Sequence, residues 1–372
     1  MERYTRSIAE VWQHWQINAK NALHPMLFTS YEDHERVFQK LGSLDRDSWA
    51  AAYSAAARPF EEAAHHADAK GDARAAKENY LHAYGLYRMA RYPTTNSAGK
   101  REAYRKSQEM FLSAVRFLPF RFERVEIPFK GRPGEGTQSV GYFVRPKASE
   151  ARLPLVILWA GIDTFKEDRS EVWEPIIAAG LSILLIDMPG TGDAPLYGSE
   201  DAERLWDTVL DWCETRPEIN AKRIAIWGGS TGGYWAAKVA HTHRARLAAA
   251  VCHGGCAHFA FTPEWIEKAQ HGSYAFELAE TLASAFGCKS FEEWADFCPR
   301  LSLLKQGVID RPSAPLLLVN GTQDTIFPIE DMHLLLEHGN PKTARFYPVG
   351  HMGYTPDTLP MIIKWIVEKV KA

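Results

Sequence analysis

The sequence predicts an α/β protein: an eight-stranded, mostly parallel sheet preceded by an all-helical N-terminal domain and interrupted late by a helical insertion. Three observations predict it. From about residue 120 onward, short apolar runs alternate with helix-length amphipathic stretches, the pattern of a parallel sheet covered by helices. Residues 1–117 are instead rich in alanine, with apolar residues at helical spacing and few β-branched ones. Between one strand-like run and one helix-like run stands Gly228-Gly229-Ser230-Thr231-Gly232, a Gly-x-Ser-x-Gly core.

The helical domain comes first. Stretches such as Trp49-Ala50-Ala51-Ala52-Tyr53-Ser54-Ala55-Ala56-Ala57 favour helix, and Pro25, Gly42, Pro59, Gly71 and Pro93 mark expected helix ends. Residues 71–93 look like a single tetratricopeptide unit, and one unit does not make a solenoid. The aromatics Phe28, Tyr31, Tyr84 and Tyr87 read as exposed rings in need of a partner surface, which makes residues 1–117 a cap over a catalytic domain of residues 118–372.

Two antiparallel strands, 121–129 and 139–145, open the second domain. Strands follow at 154–159, 181–187, 222–227, 247–252, 314–320 and 344–349. Residues 257–310, between the sixth and seventh strands, form the insertion and carry Phe259, Phe261, Trp265, Tyr274, Phe276, Phe286 and Trp294. At that position an insertion reads as a lid, while an aromatic core without substrate contact is the plainer account of most of those rings.

The chemistry gathers at strand ends. Arg223-Ile224-Ala225-Ile226-Trp227 runs into the Ser230 motif, and Tyr234-Trp235-Ala236-Ala237-Lys238-Val239-Ala240 continues as helix, the context of a nucleophile elbow. A serine held on so tight a turn leaves no room for Cβ atoms at positions 228 and 232. Its hydroxyl needs a base oriented by an acid, and α/β-hydrolases supply them in the order serine, acid, histidine. Asp324 follows the strand Ala314 to Gly321, and His351 follows the strand Ala344 to Val349, flanked by Gly350 and Met352-Gly353. A lone aspartate in a turn usually caps a backbone N–H, and a lone histidine is usually superficial. Joint placement after consecutive strands favours catalysis.

The oxyanion donors are expected to be the backbone N–H groups of Thr231, at the start of the elbow helix, and of Ile162, in the loop Ala160-Gly161-Ile162-Asp163. Asp163 either orients that loop or a substrate group, or caps the next helix. His253 and His258 follow the sixth strand and read as lining of the substrate pocket.

Composition narrows the function. A hydrophobic fraction of 46% supports a sizeable core, and a net charge of −3 gives no reason to expect nucleic acid or an anionic membrane surface. No apolar run approaches a membrane span, and the first residues lack the apolar core of a secretory signal. Five cysteines without framework spacing suggest free thiols in a reducing cytoplasm. Cys252-His253-Gly254-Gly255-Cys256 has no second ligand pair, so no metal is expected, and nothing calls for a cofactor. A small-molecule substrate is the implied partner; helical extensions of this kind often support a homodimer.

The helical domain, the Gly-Gly-Ser-x-Gly-Gly elbow, the Gly-Ile-Asp loop and the Gly-x-x-Asp acid turn together resemble the α/β-hydrolase subfamily around the fermentation-respiration-switch esterase. That group includes dihydroxypseudooxynicotine hydrolase and the fungal yellowish-green pigment polyketide hydrolases. The resemblance spans nearly the whole chain and implies an α/β-hydrolase fold with Ser230, Asp324 and His351 on the triad positions. It also implies that the segment His24 to Tyr31, with Phe28 and Tyr31, helps close the active site. Several members cleave carbon–carbon bonds beside a ketone, others esters. With aromatics dense in both candidate lid segments, C–C cleavage of an aromatic or polyketide-like ketone is the expectation. A carboxylesterase is the alternative, and a non-catalytic interaction protein is the reading from another class.

Overall fold

The computed structural model describes residues 5–147, 149, 151–339 and 342–371. The chain forms two compact units. One extends to Pro119 and takes in Ala275–Glu277; the other comprises Phe120–Tyr274 and the chain from Leu278 onward.

The first unit contains helices α1 (Ile8–Lys20), α2 (Tyr31–Lys40), α3 (Arg46–Ala69), α4 (Ala73–Arg91) and α5 (Ala98–Val115). Each begins behind a short polar residue, Ser7, Ser30, Asp45, Asp72 or Ser97, whose side chain accepts one of the otherwise unpaired first N–H groups. The expected break at Pro59 does not occur, because α3 runs straight through it. Proline frees the carbonyl four residues back, here that of Ala55; both residues are exposed, so water can take the lost hydrogen bond.

Tyr84 and Tyr87 also depart from expectation. They are 1% and 3% exposed, because α4 packs against both α3 and α5 and has no solvent face along this stretch. Tyr87 donates its hydroxyl to Glu61, and the Tyr84 ring lies 5.3 Å from Phe111. Phe276 belongs to this unit as well, packed on Trp49 at 5.1 Å and Trp15 at 5.7 Å. Beside it Glu277 pairs with Arg46 at 2.8 Å and Lys100 at 3.1 Å.

The second unit is built on an eight-stranded sheet of order β1-β2-β4-β3-β5-β6-β7-β8. Its strands are β1 (Phe120–Pro128), β2 (Gln138–Pro146), β3 (Leu153–Trp159), β4 (Ser182–Leu185), β5 (Ile219–Gly229), β6 (Ala249–His253), β7 (Leu316–Gly321) and β8 (Lys342–Tyr347). β2 runs antiparallel to β1 and β4, and the remaining pairings are parallel. β4, β6 and β7 are buried along their whole length, which explains their unbroken apolar runs. The helices α6 (Trp173–Ala178), α7 (Arg204–Thr215), α8 (Thr231–Thr242), α12 (Ile329–Glu337) and α13 (Thr358–Lys371) pack against it. The chain goes from β3 out to β4 and then back past β3 to β5. The carboxyl ends of β3 and β5 therefore flank a topological switch point, where α/β sheets place their ligands.

The insertion between β6 and β7 carries α9 (Pro263–Gln270), α10 (Leu278–Ala285) and α11 (Phe291–Phe297). Its rings mostly make core. Phe286 packs tilted against Trp294 at 4.8 Å, and Phe261 meets Tyr234 of α8 edge-on at 5.0 Å. Asp331 of α12 anchors its start by accepting the N–H groups of His258, Phe259 and Ala260 at 2.7, 2.8 and 3.1 Å. Among the described residues no helix is long and apolar enough to cross a membrane.

Candidate active site

β5 ends in Gly229, and Ser230 follows with φ 54° and ψ −129°, a conformation unfavourable for any residue with a Cβ. Close packing imposes the turn. A Cβ on Gly228 would sit 2.1 Å from the Gly232 carbonyl oxygen, and one on Gly232 would sit 2.2 Å from that of Ala160. The indole N–H of Trp159, the last residue of β3, donates to the Gly232 carbonyl at 2.8 Å and ties elbow to neighbouring strand.

His351 Nε2 lies 2.9 Å from Ser230 Oγ, and His351 Nδ1 lies 2.7 Å from Asp324 Oδ2. Asp324 Oδ2 also accepts from Asn320 Nδ2 at 2.9 Å, and Oδ1 accepts from the N–H groups of Ile326 and Phe327 at 2.8 and 3.1 Å. Burial opposes its charge, but the adjacent His351 ring and these donors outweigh burial and hold the carboxyl below its ordinary range. An ionised Asp324 accepts a hydrogen bond from Nδ1–H, so Nε2 keeps a lone pair facing the serine hydroxyl.

Thr231 is the first residue of α8, where its N–H has no carbonyl a turn earlier to pair with inside the helix. The loop holding Ile162 passes close by: a Cβ on Gly161 would lie 2.9 Å from Ser230 Cβ and 3.1 Å from its Oγ. Asp163 is buried in the same loop and accepts from Thr164 Oγ1 at 3.1 Å.

The two histidines after β6 are both held by protein contacts. His253 is completely buried, its Nε2 2.7 Å from the Met352 carbonyl oxygen and its ring 6.0 Å from that of Trp227. As the last residue of a strand buried on both faces, it has a protein neighbour wherever its ring turns. His258 is half-buried, with its N–H on Asp331 and its Nδ1 2.6 Å from Ser302 Oγ, so it serves the base of the insertion. Phe28 and Tyr31 belong to the helical unit. Phe28 is 38% exposed with φ 64°, and Tyr31 opens α2 with its ring 5.3 Å from that of Trp12.

Sequence reasoning missed Asn320, Met352, Lys166 and Arg169. Asn320 had a signal, a polar residue closing the apolar run Leu316-Leu317-Leu318-Val319 at the functional end of the sheet. Lys166 is buried with Nζ 2.9 Å from Asp187, 2.6 Å from Asp193 and 3.1 Å from Glu167, while Tyr142 donates to Glu167 at 2.8 Å. This cluster ties the loop after β3 to the turn after β4. Arg169 lies 5.1 Å over the Trp227 ring.

Groups able to hold a metal are few. Among the described residues Glu61, His65 and Glu109 come together in the helical unit, and Lys106 Nζ lies 2.6 Å from Glu61 and 3.5 Å from Glu109, neutralising the charge a cation would need. All five cysteines are free thiols.

Comparison with known proteins decides the family. Residues 45–371 match the family described as Esterase FrsA-like. The chain belongs to the FrsA-like esterase family. It is 26% identical to esterase FrsA of Serratia proteamaculans over 263 residues, 69% of this chain and 61% of that protein. Against esterase FrsA of Pectobacterium atrosepticum the figures are 24% over 307 residues, 81% and 72%. The chain thus spans less than two thirds of the Serratia relative. Among solved structures, 2,6-dihydroxy-pseudo-oxynicotine hydrolase superposes with a TM-score of 0.76 at 18% identity, covering 96% of this chain and 95% of that one. AbyA5 gives 0.73 at 22% identity, covering 98% and 94%. The α/β-hydrolase fold and the subfamily are those to which the elbow, the Gly-Ile-Asp loop and the acid turn point.

Proposed function

We propose that the chain is a serine hydrolase working through an acyl-enzyme, with Ser230 as nucleophile, His351 as general base and then acid, and Asp324 as the orienting carboxylate. The observation that carries this reading is the unbroken hydrogen-bonded chain Ser230 Oγ, His351 Nε2, His351 Nδ1, Asp324 Oδ2, at 2.9 and 2.7 Å, with the serine on a strained turn. Ser230 passes its proton to His351 as Oγ attacks the substrate carbonyl. The N–H groups of Thr231 and Ile162 take up the oxyanion. Collapse expels the leaving group, which collects the proton from the His351 imidazolium. Water then attacks the acyl-enzyme, giving its proton to His351, which returns it to Ser230 Oγ.

Membership of an esterase family favours a carboxylic ester as substrate, with an alkoxide or phenoxide leaving. The second reading is cleavage of a C–C bond beside a ketone, where the leaving carbon departs as a stabilised carbanion and takes the same proton. It draws support from the likeness to a hydrolase of 2,6-dihydroxy-pseudo-oxynicotine. The density of aromatics in the insertion no longer supports it, since Phe261, Phe286 and Trp294 pack as core and Phe276 belongs to the helical unit. In the same proposal residues 1–117 act as a cap, with Phe28 and Tyr31 contacting substrate, and the segment around 257–310 acts as a lid.

A fluorophosphonate probe should label wild-type protein at Ser230 and leave Ser230→Ala unlabelled. Paired turnover on aryl esters and 1,3-diketones then separates the readings: ester hydrolysis alone establishes the esterase, and diketone cleavage at a comparable kcat/KM establishes the C–C hydrolase. An unlabelled wild-type protein, inert on both, would leave a non-catalytic interaction protein.

A further inference from the structure

His253 makes two connections at once. Its backbone carbonyl accepts the Ser230 N–H at 2.8 Å, and its ring Nε2 meets the Met352 carbonyl at 2.7 Å. A carbonyl only accepts, so Nε2 carries the proton. Burial, reinforced by the charge of Arg169, pushes the imidazole down to about 3, which leaves a neutral ring with that single donor. Its Nδ1 is buried and has no hydrogen-bond partner among the described residues.

Met352 needs holding. It follows His351 directly and sits at φ 68°, in the left-handed region that residues with side chains avoid. Its N–H donates to Asn320 Oδ1 at 3.0 Å while Asn320 Nδ2 donates to Asp324, so one amide braces the acid and the strained turn together. The carbonyl of the same peptide turn is left to His253. The Met352 sulfur in turn lies 3.1 Å from the Ser230 nitrogen.

We infer that His253 is a positioning residue, a strut that holds the His351 turn in register with the Ser230 turn through its ring Nε2–H on the Met352 carbonyl and its own carbonyl on the Ser230 N–H. The inference rests on the serine-hydrolase reading. Losing the strut lets Met352 relax toward an ordinary backbone conformation and swings His351 Nε2 away from Ser230 Oγ. A displacement near 1 Å at reacting groups costs on the order of 100-fold in rate.

The test compares His253→Leu, which fills the space without a donor, with His253→Gln, whose amide nitrogen can occupy the place of Nε2. On the best aryl ester, His253→Leu should lose about 10–100-fold in kcat with KM changed by less than about twofold. His253→Gln should recover most of the loss, and the fluorophosphonate labelling rate at Ser230 should follow kcat. A His253→Leu protein with wild-type kcat, or a Gln variant no better than Leu, overturns the inference. Should the Leu variant not fold, histidine-selective ¹⁵N spectra of the wild type decide: a neutral Nε2–H ring that does not titrate between about pH 5 and pH 8 supports the strut, and an Nδ1–H tautomer or a titrating ring overturns it. The spectra report on His253 even if Ser230 proves unlabelled, so failure of the strut and failure of the hydrolase reading are told apart.

Discussion

Two clusters of acid and base stand at the same end of the sheet, and they behave in opposite ways. Asp324 with His351 follows β7 and β8; Asp187, Asp193 and Glu167 with Lys166 follow β3 and β4. In the first, a buried carboxyl is held below its ordinary range by His351 and by N–H donors. In the second, burial raises both Asp187 and Glu167 against the attraction of the Lys166 ammonium, with neighbouring carboxylates adding to the rise. The cluster with raised carboxyls is not the one proposed for catalysis. Lys166 is fully enclosed, whereas the His351 side chain keeps 16% of its surface open and touches a serine. Perturbed acids mark candidate sites, but access and a nucleophile in line separate chemistry from scaffolding.

The largest effect that would sharpen this contrast is at the nucleophile. Ser230→Ala should lower kcat by about 10⁴-fold or more with an unchanged melting temperature; a folded variant with near-wild-type turnover would break it. Asp324→Asn should cost about 10³–10⁴-fold in kcat by leaving His351 in the wrong tautomer. Asp187→Asn should keep kcat within about tenfold, because Asp187 touches no reacting group. The reverse result would transfer the acid's role to the other cluster.

Stability distinguishes the clusters next. Lys166→Met removes the ammonium that three carboxylates share and should destabilise the fold by about 3–5 kcal/mol in denaturant titrations. Their pH dependence has opposite sign. The stabilising share of Asp324, lowered in the fold, is present above the unfolded carboxylate value and lost as pH falls through its folded value. Asp187 and Glu167 are raised in the fold, so their share is present below the unfolded value and lost as pH rises through the folded one. Melting followed from acid toward neutral pH should therefore show a loss that Asp187→Asn reduces and Asp324→Asn does not.

Smaller effects complete the series. Phe28→Ala should raise KM a few-fold with kcat retained if the helical unit contacts substrate, and an unchanged KM would remove Phe28 from the pocket. Dialysis against a strong chelator should leave activity unchanged; a loss restored by zinc would reopen the question of a metal.

The architecture was legible because its signals are local. A strand buried on both faces must be apolar throughout, as Leu316 to Val319 shows, and a helix that starts in water needs an acceptor such as Ser97 or Asp72. The elbow was legible for the same reason, since the clash that demands glycine at 228 and 232 lies within a few residues of Ser230 and the adjoining β3 loop. Where local signals misled, the surroundings of the residue in the fold had overruled them. Pro59 reads as a stop, yet α3 continues because its exposed face lets water take the freed carbonyl. Tyr84 and Tyr87 read as exposed, yet α4 is packed from two sides.

Composition and pattern were enough to specify the α/β sheet and the helical region before it, and to single out Ser230, Asp324 and His351, which the fold brings together, because each depends on periodicity or on a turn a few residues long. Which groups finish the site was settled in three dimensions. Asn320 and His253 stand out as polar residues at strand ends, but the partner each one meets, the N–H or the carbonyl of the left-handed residue Met352, is fixed only when β6, β7 and the turn after β8 come together. The physical reason is range: a hydrogen bond between residues about a hundred positions apart leaves no mark in either one's immediate sequence, and it exists only once the sheet has brought both strand ends to the same place.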